Sequence, residues 1–96
     1  MRKNKEKTKS ISKPVVQLED VTVLRPTDFS DIQTAIDLLM ASRPVGISFD
    51  QITSELTQRF IDFLSGASYA LEGNVKQLTE KEFLFVPYGV EVVVPW

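Results

Sequence analysis

Apolar side chains recur at three- and four-residue steps from Ile52 through Leu56, Phe60, Phe63, Leu64, Ala67 and Ala70 to Leu71. That spacing predicts a helix burying one face, running from about Asp50 or Gln51 to Glu72, with Gly73 taking a left-handed cap. Ile32, Ala35, Ile36, Leu39 and Met40 repeat the pattern and predict a shorter helix upstream. Its start has capping-box spacing at Ser30-Asp31-Ile32-Gln33, with Thr27 or Asp28 as alternative caps. It stops before Arg43-Pro44, because the residue ahead of a proline avoids helical geometry. Elsewhere the pattern shortens to strands. Val21-Thr22-Val23-Leu24 is a β-branched run stopped by Pro26, and Val45, Ile47 and Phe49 alternate with Gly46 and Ser48. Residues 75–78, 83–86 and 90–94 predict three more strands, the first two joined by the polar hairpin loop Thr79-Glu80-Lys81-Glu82. Val15 to Leu18 reads as an extended lead-in.

The order β-α-β-α-β-β-β predicts an α/β sandwich, with two helices packed on one face of a five-stranded mixed sheet. Leu84, Val86 and Val93 lie in runs that are apolar at successive positions, so both sheet faces are expected to be partly buried. Two helices cover one face. A symmetric homodimer is the simplest cover for the other, in preference to an exposed apolar patch.

Gly66 interrupts the longer helix among small neighbours, Ser65, Ala67 and Ser68. A glycine inside a helix costs about 1 kcal/mol relative to alanine. The position therefore suggests a close approach, either by another element of the same fold or by a second molecule.

Composition narrows the chemistry. Ninety-six residues make one domain. With neither cysteine nor histidine, the chain lacks disulfides, thiolate zinc sites, a cysteine nucleophile and the commonest general base. Asp28 with Asp31, and Asp50 with Glu55, are the available carboxylate pairs, but acidic residues in a first helical turn follow from the helix dipole alone. The glycines are too scattered for a phosphate loop. No enzyme activity and no cofactor or metal is expected. No run approaches the roughly 20 apolar residues that span a bilayer, and a cytoplasmic protein is expected. Charge is unevenly placed. Residues 1–14 carry Arg2, Lys3, Lys5, Lys7, Lys9 and Lys13 against Glu6, a balance of +5, while the remaining five basic and twelve acidic residues give −7. The expected organisation is a disordered basic arm, 1–14, on a core domain, 15–96. Arg2, Lys3, Lys5, Lys7 and Lys9 are candidates for weak contact with an anionic surface, lipid or nucleic acid. The arm has no apolar stripe, so any membrane contact would be electrostatic at most. Phe83 and Phe85 are of the type on which some sheet proteins stack bases, but their strand has no basic residue and the body is acidic, which disfavours nucleic acid there.

The segment Arg59-Phe60-Ile61-Asp62-Phe63-Leu64-Ser65-Gly66-Ala67-Ser68-Tyr69-Ala70-Leu71-Glu72-Gly73 resembles the long signature of the SepF family of bacterial cell-division proteins. Leu24-Arg25-Pro26, Phe29-Ser30-Asp31, Arg43-Pro44-Val45, Phe83-Leu84-Phe85-Val86-Pro87 and Val90-Glu91-Val92 resemble its flanking pieces in order, so the resemblance covers residues 21–94. It implies a non-enzymatic adaptor that dimerises, binds the C-terminal tail of the division GTPase FtsZ, and assembles further at the division septum. Gly66, with Ser65 and Ala67, matches the family's assembly position, which favours a second molecule as the source of the close approach. Phe83 matches an aromatic linked to tail binding, and Phe85, Tyr69 and Lys76 are expected beside it. Gln77 stands where the family is commonly basic, and Lys76 is displaced by one residue, which turns it to the other strand face. A lysine-rich arm stands where members usually carry an amphipathic helix and linker. Two alternatives stay open: a small nucleic-acid-binding protein using the basic arm, and a ligand-sensing regulatory domain.

Overall fold

The computed structural model describes residues 14–95. In chain order the elements are strand β1 (Val15–Gln17), a single 3-10 turn at Leu18–Asp20, β2 (Thr22–Leu24), helix α1 (Phe29–Met40), β3 (Val45–Ser48), helix α2 (Ser54–Ala70), β4 (Asn74–Gln77), β5 (Glu82–Val86) and β6 (Glu91–Val93). The predicted class holds, but among the described residues the strands number six rather than five and do not form one sheet. Four make a mixed sheet in the order β2-β3-β5-β4, with β2 and β3 parallel and the other two pairings antiparallel. β6 leaves that sheet and pairs in parallel with the lead-in β1, Val15 opposite Glu91 and Gln17 opposite Val93. The turn before β6, with Gly89 at φ 79° and the Val90 N–H donating to the Pro87 carbonyl, redirects the chain. The Glu91 N–H then donates to the Pro14 carbonyl at 2.9 Å.

Of the alternative caps for α1, Asp28 is the one used. Its carboxylate accepts from the Ser30 N–H at 2.9 Å, while Asp31 accepts from the Thr27 and Asp28 N–H groups, a reciprocal box beginning at Asp28 instead of Ser30. α2 also begins later than its apolar pattern. The Thr53 hydroxyl accepts from the Leu56 N–H and caps the helix, so Ile52 packs against the core from outside it. At the other end the left-handed residue is Glu72 (φ 61°), not the expected Gly73. Gly73 serves a different need: a Cβ there would stand 2.7 Å from the Val86 carbonyl oxygen, closer than side chains tolerate.

The core lies between the helices and one sheet face. Ile32, Ala35 and Leu39 from α1 and Phe60 and Leu64 from α2 meet Val45, Ile47, Phe83 and Phe85. Alternation along the strands then sends Val23, Gly46, Leu84 and Lys76, one row across β2-β3-β5-β4, to the opposite face. That face is only partly covered by its own chain. Leu84 is 2% exposed and Val21 lies over Gly46, yet Val23 remains 60% exposed beside a groove of about 210 Å³.

Candidate functional site

A groove of about 450 Å³ runs between α2 and the β4–β5 hairpin. Thr57, Gln58 and Ile61 on the first turns of α2 form one wall, and Gln77, Lys81 and Phe83 the other. The hairpin register puts Gln77 directly opposite Phe83, and both point to the helix side of the sheet. The Phe83 ring is 8% exposed and packs edge-on to Phe49 at a centroid distance of 5.8 Å. It is thus a core residue whose outer margin meets the groove.

The rim of the groove is held by main-chain and side-chain hydrogen bonds. The Leu78 and Thr79 N–H groups both donate to the Glu82 carbonyl, and Gln77 Nε2 donates to the Thr79 carbonyl at 3.0 Å. The Lys81 N–H donates to Thr79 Oγ1 at 3.3 Å, and the Lys81 carbonyl accepts from the Phe49 N–H at 2.9 Å. The groove offers an apolar floor, side-chain amides and hydroxyls on the walls, and charge at the rim.

The predicted tail-binding residues are not brought together. Phe83 lines the groove. Phe85 is fully buried in the core, because its place in the strand puts it opposite Val45 under the helices, so it offers no surface to a peptide while the fold is intact. Tyr69 stands 85% exposed on the last turn of α2, away from the groove lining, since the groove meets the first turns of that helix. Lys76 lies in the Leu84 row on the opposite sheet face, as the one-residue displacement required. Arg2, Lys3, Lys5, Lys7 and Lys9 lie outside the described residues. Sequence reading passed over Lys81 and Ile61, one assigned to a hairpin loop and the other to the middle of a helix. Only the folded pairing places them together.

Gly66 is exposed on α2, and a Cβ added there meets nothing within 4 Å. The fold therefore makes no close approach at this position, and Ser65 and Ala67 beside it are half-buried. On the same outer side of the helical layer, Phe29 and Phe63 form an edge-to-face pair at 5.0 Å while remaining 42% and 48% exposed. Sequence reading placed Phe63 on the buried face. The α2 apolar stripe is wider than its contact with the sheet, and that width was the available signal.

Charge elsewhere is structural. Asp28 is held below the ordinary carboxylate value by the Ser30 hydroxyl and N–H, which with the Asp31 N–H outweigh the opposing desolvation. For Asp50, desolvation pushes the pKa up, but the Arg25 guanidinium at 2.5 Å, aided by Gln51 and Ser48, brings it below that range. Among the described residues no group of three or more carboxylates is placed to hold a metal, and no helix is long and apolar enough to cross a membrane.

The architecture is that of a small α/β domain, two helices packed on a mixed sheet. Residues 21–92 match the family profile described as Cell division protein SepF, and the chain belongs to that family. It is 33% identical over 97 residues to Cell division protein SepF 2 of Desulforamulus reducens, covering 95% of this chain and 60% of the relative. It is 39% identical over 72 residues to Cell division protein SepF of Syntrophomonas wolfei, covering 75% and 51%. The chain thus spans about half to three-fifths of the length of these relatives. Among solved structures, the fold is similar to a SepF-like protein from Pyrococcus furiosus, with TM-score 0.70, 13% identity and coverage of 86% of this chain and all of that one. It is also similar to SepF from Methanobrevibacter smithii, solved in complex with FtsZ-CTD, with TM-score 0.62, 18% identity and coverage of 76% and 95%.

Proposed function

We propose that this chain is a non-enzymatic cell-division adaptor. It binds the C-terminal tail of FtsZ in the groove beside Phe83, dimerises, and assembles further through the stretch of α2 around the exposed Gly66, with Ser65 and Ala67 beside it, aligning FtsZ filaments on the cytoplasmic side of the division septum. The observation that carries this reading is the groove itself: in a SepF-family fold, a cleft of about 450 Å³ with its rim fixed by hydrogen bonds is lined by Phe83, the residue the sequence resemblance links to tail binding. Support for the occupant comes from the Methanobrevibacter smithii protein, whose structure was solved with FtsZ-CTD. Gly66 supports the assembly role, since it bears the helix cost of glycine while nothing in its own fold requires it. The basic residues Arg2, Lys3, Lys5, Lys7 and Lys9 would add a weak, salt-sensitive contact with an anionic surface.

The test is a titration of the purified chain with a fluorescent peptide copying the FtsZ tail of its own organism, with light scattering on the same sample. Saturable micromolar binding by a dimer is expected. A folded protein that ignores the peptide would overturn the tail-binding reading.

A further inference from the structure

We infer that Lys81 is the specificity-determining cation of the Phe83 groove and pairs with a carboxylate on the docked peptide; this rests on the reading of the groove as a peptide site. Lys81 lines the same groove as Ile61 and Phe83, so a charge and an apolar floor lie side by side. Its backbone is tied on both sides, by the bond its N–H donates to Thr79 Oγ1 and the bond its carbonyl accepts from the Phe49 N–H. A long cationic side chain thus rises from a fixed base and loses less freedom on binding than one on a mobile loop. The charge is available: among the described residues the one ion pair within 4 Å is Arg25 with Asp50.

Lys76 and Arg59 lie elsewhere. Lys76 sits on the opposite sheet face, in the row of Leu84. Arg59 lines a separate groove between the helices, beside Phe29 and Phe63. Glu80 shares the rim with Lys81, so the groove is not a broad positive surface. Attraction is confined to one spot, and a second acidic group near Glu80 would be repelled. Charge arranged in this way selects the register of a peptide more than it raises affinity. The ligand chemistry is a carboxylate next to an apolar side chain, supplied either by an acidic residue within the peptide or by its terminal carboxylate.

The experiment is a fluorescence titration of the full chain, at two salt concentrations, with three forms of the FtsZ tail peptide: native, C-terminally amidated, and with its acidic side chains changed to amides. Lys81→Gln is expected to weaken binding of the native peptide about 3- to 10-fold and flatten its salt dependence, as expected for loss of one partly exposed charge contact. Lys81→Arg should restore both, and Lys76→Gln should change affinity less than twofold. The modified peptide that loses affinity for the native protein, but loses nothing further for Lys81→Gln, identifies the carboxylate. Wild-type affinity and salt slope in Lys81→Gln, alongside saturable binding by the native protein, would overturn this inference and leave the groove reading standing. No binding by the native protein would overturn both.

Discussion

A methyl group added at Gly73 would stand 2.7 Å from the Val86 carbonyl oxygen and 3.1 Å from Ser68 Oγ, whereas one added at Gly66 would meet no atom of the chain within 4 Å. The two glycines therefore answer to different demands. Gly73→Ala must push backbone against backbone where α2 turns into β4, and we expect it to cost about 1–3 kcal/mol. Gly66→Ala should instead stabilise the isolated fold by up to about 1 kcal/mol, because it removes a helix penalty without a clash. Urea midpoints followed by circular dichroism check both signs. Gly66→Lys should keep the native spectrum and lose assemblies larger than a dimer in sedimentation. If it unfolds instead, Gly66 is needed by its own fold and the assembly reading falls. The sequence drew attention to Gly66 for the right oddity, a glycine in mid-helix. It could not show that the close approach within the fold belongs to Gly73, because that depends on where β5 passes.

The helices were legible as elements because an apolar step of three and four residues records which side meets a sheet. Their ends were less so: several polar residues offered capping oxygens, and the choice between Ser30 and Asp28 depends on which backbone N–H groups the folded turn presents. Asp28 gives the element a pH dependence. Its pKa is lowered in the folded state, so its contribution is fully present above the ordinary carboxylate value near 3.9 and is lost as pH falls through the lower folded value. Asp28→Ala should lower the urea midpoint at pH 7 and make the further loss of stability below about pH 4 shallower than in the native chain. An unchanged acid profile would show that the cap contributes nothing. The strands behaved differently. Alternation announced β6 as a strand but said nothing of its partner, so its departure to β1 was unreadable. The groove suffered the same limit, since its lining residues converge only once β4 and β5 are paired. Phe83 illustrates the cost of reading a site residue without its burial. Phe83→Ala would open a core cavity worth about 3–5 kcal/mol, enough to unfold so small a domain, and lost binding would then be uninformative. Phe83→Leu keeps most of the volume; we expect it to remain folded and to bind the FtsZ tail more weakly. Native affinity in a folded Phe83→Leu would remove the ring from the site.

At the scale of the whole molecule the chain presents apolar surface on two opposite layers. One is the open sheet face around Val23, and the other is the outer helical face carrying Phe29, Phe63 and, one turn on along α2, Gly66. A protomer with one self-complementary surface stops at a dimer, whereas one with two on opposite sides builds an open chain of alternating contacts. On the proposed function, the dimer would use one of these surfaces and the further assembly the other. The two contacts are then separable. Val23 is 60% exposed and Phe63 48% exposed, so a lysine at either position can reach water without disturbing the core. Val23→Lys should leave dimers joined through the helical face, and Phe63→Lys should leave dimers joined through the sheet face. The double variant should be a folded monomer. Light scattering on the four proteins at matched concentration decides the matter. A double variant that still pairs, with an unaltered circular dichroism spectrum, would place the contact elsewhere, and the exposed β1–β6 ribbon with Val15 and Val93 would be the next surface to charge.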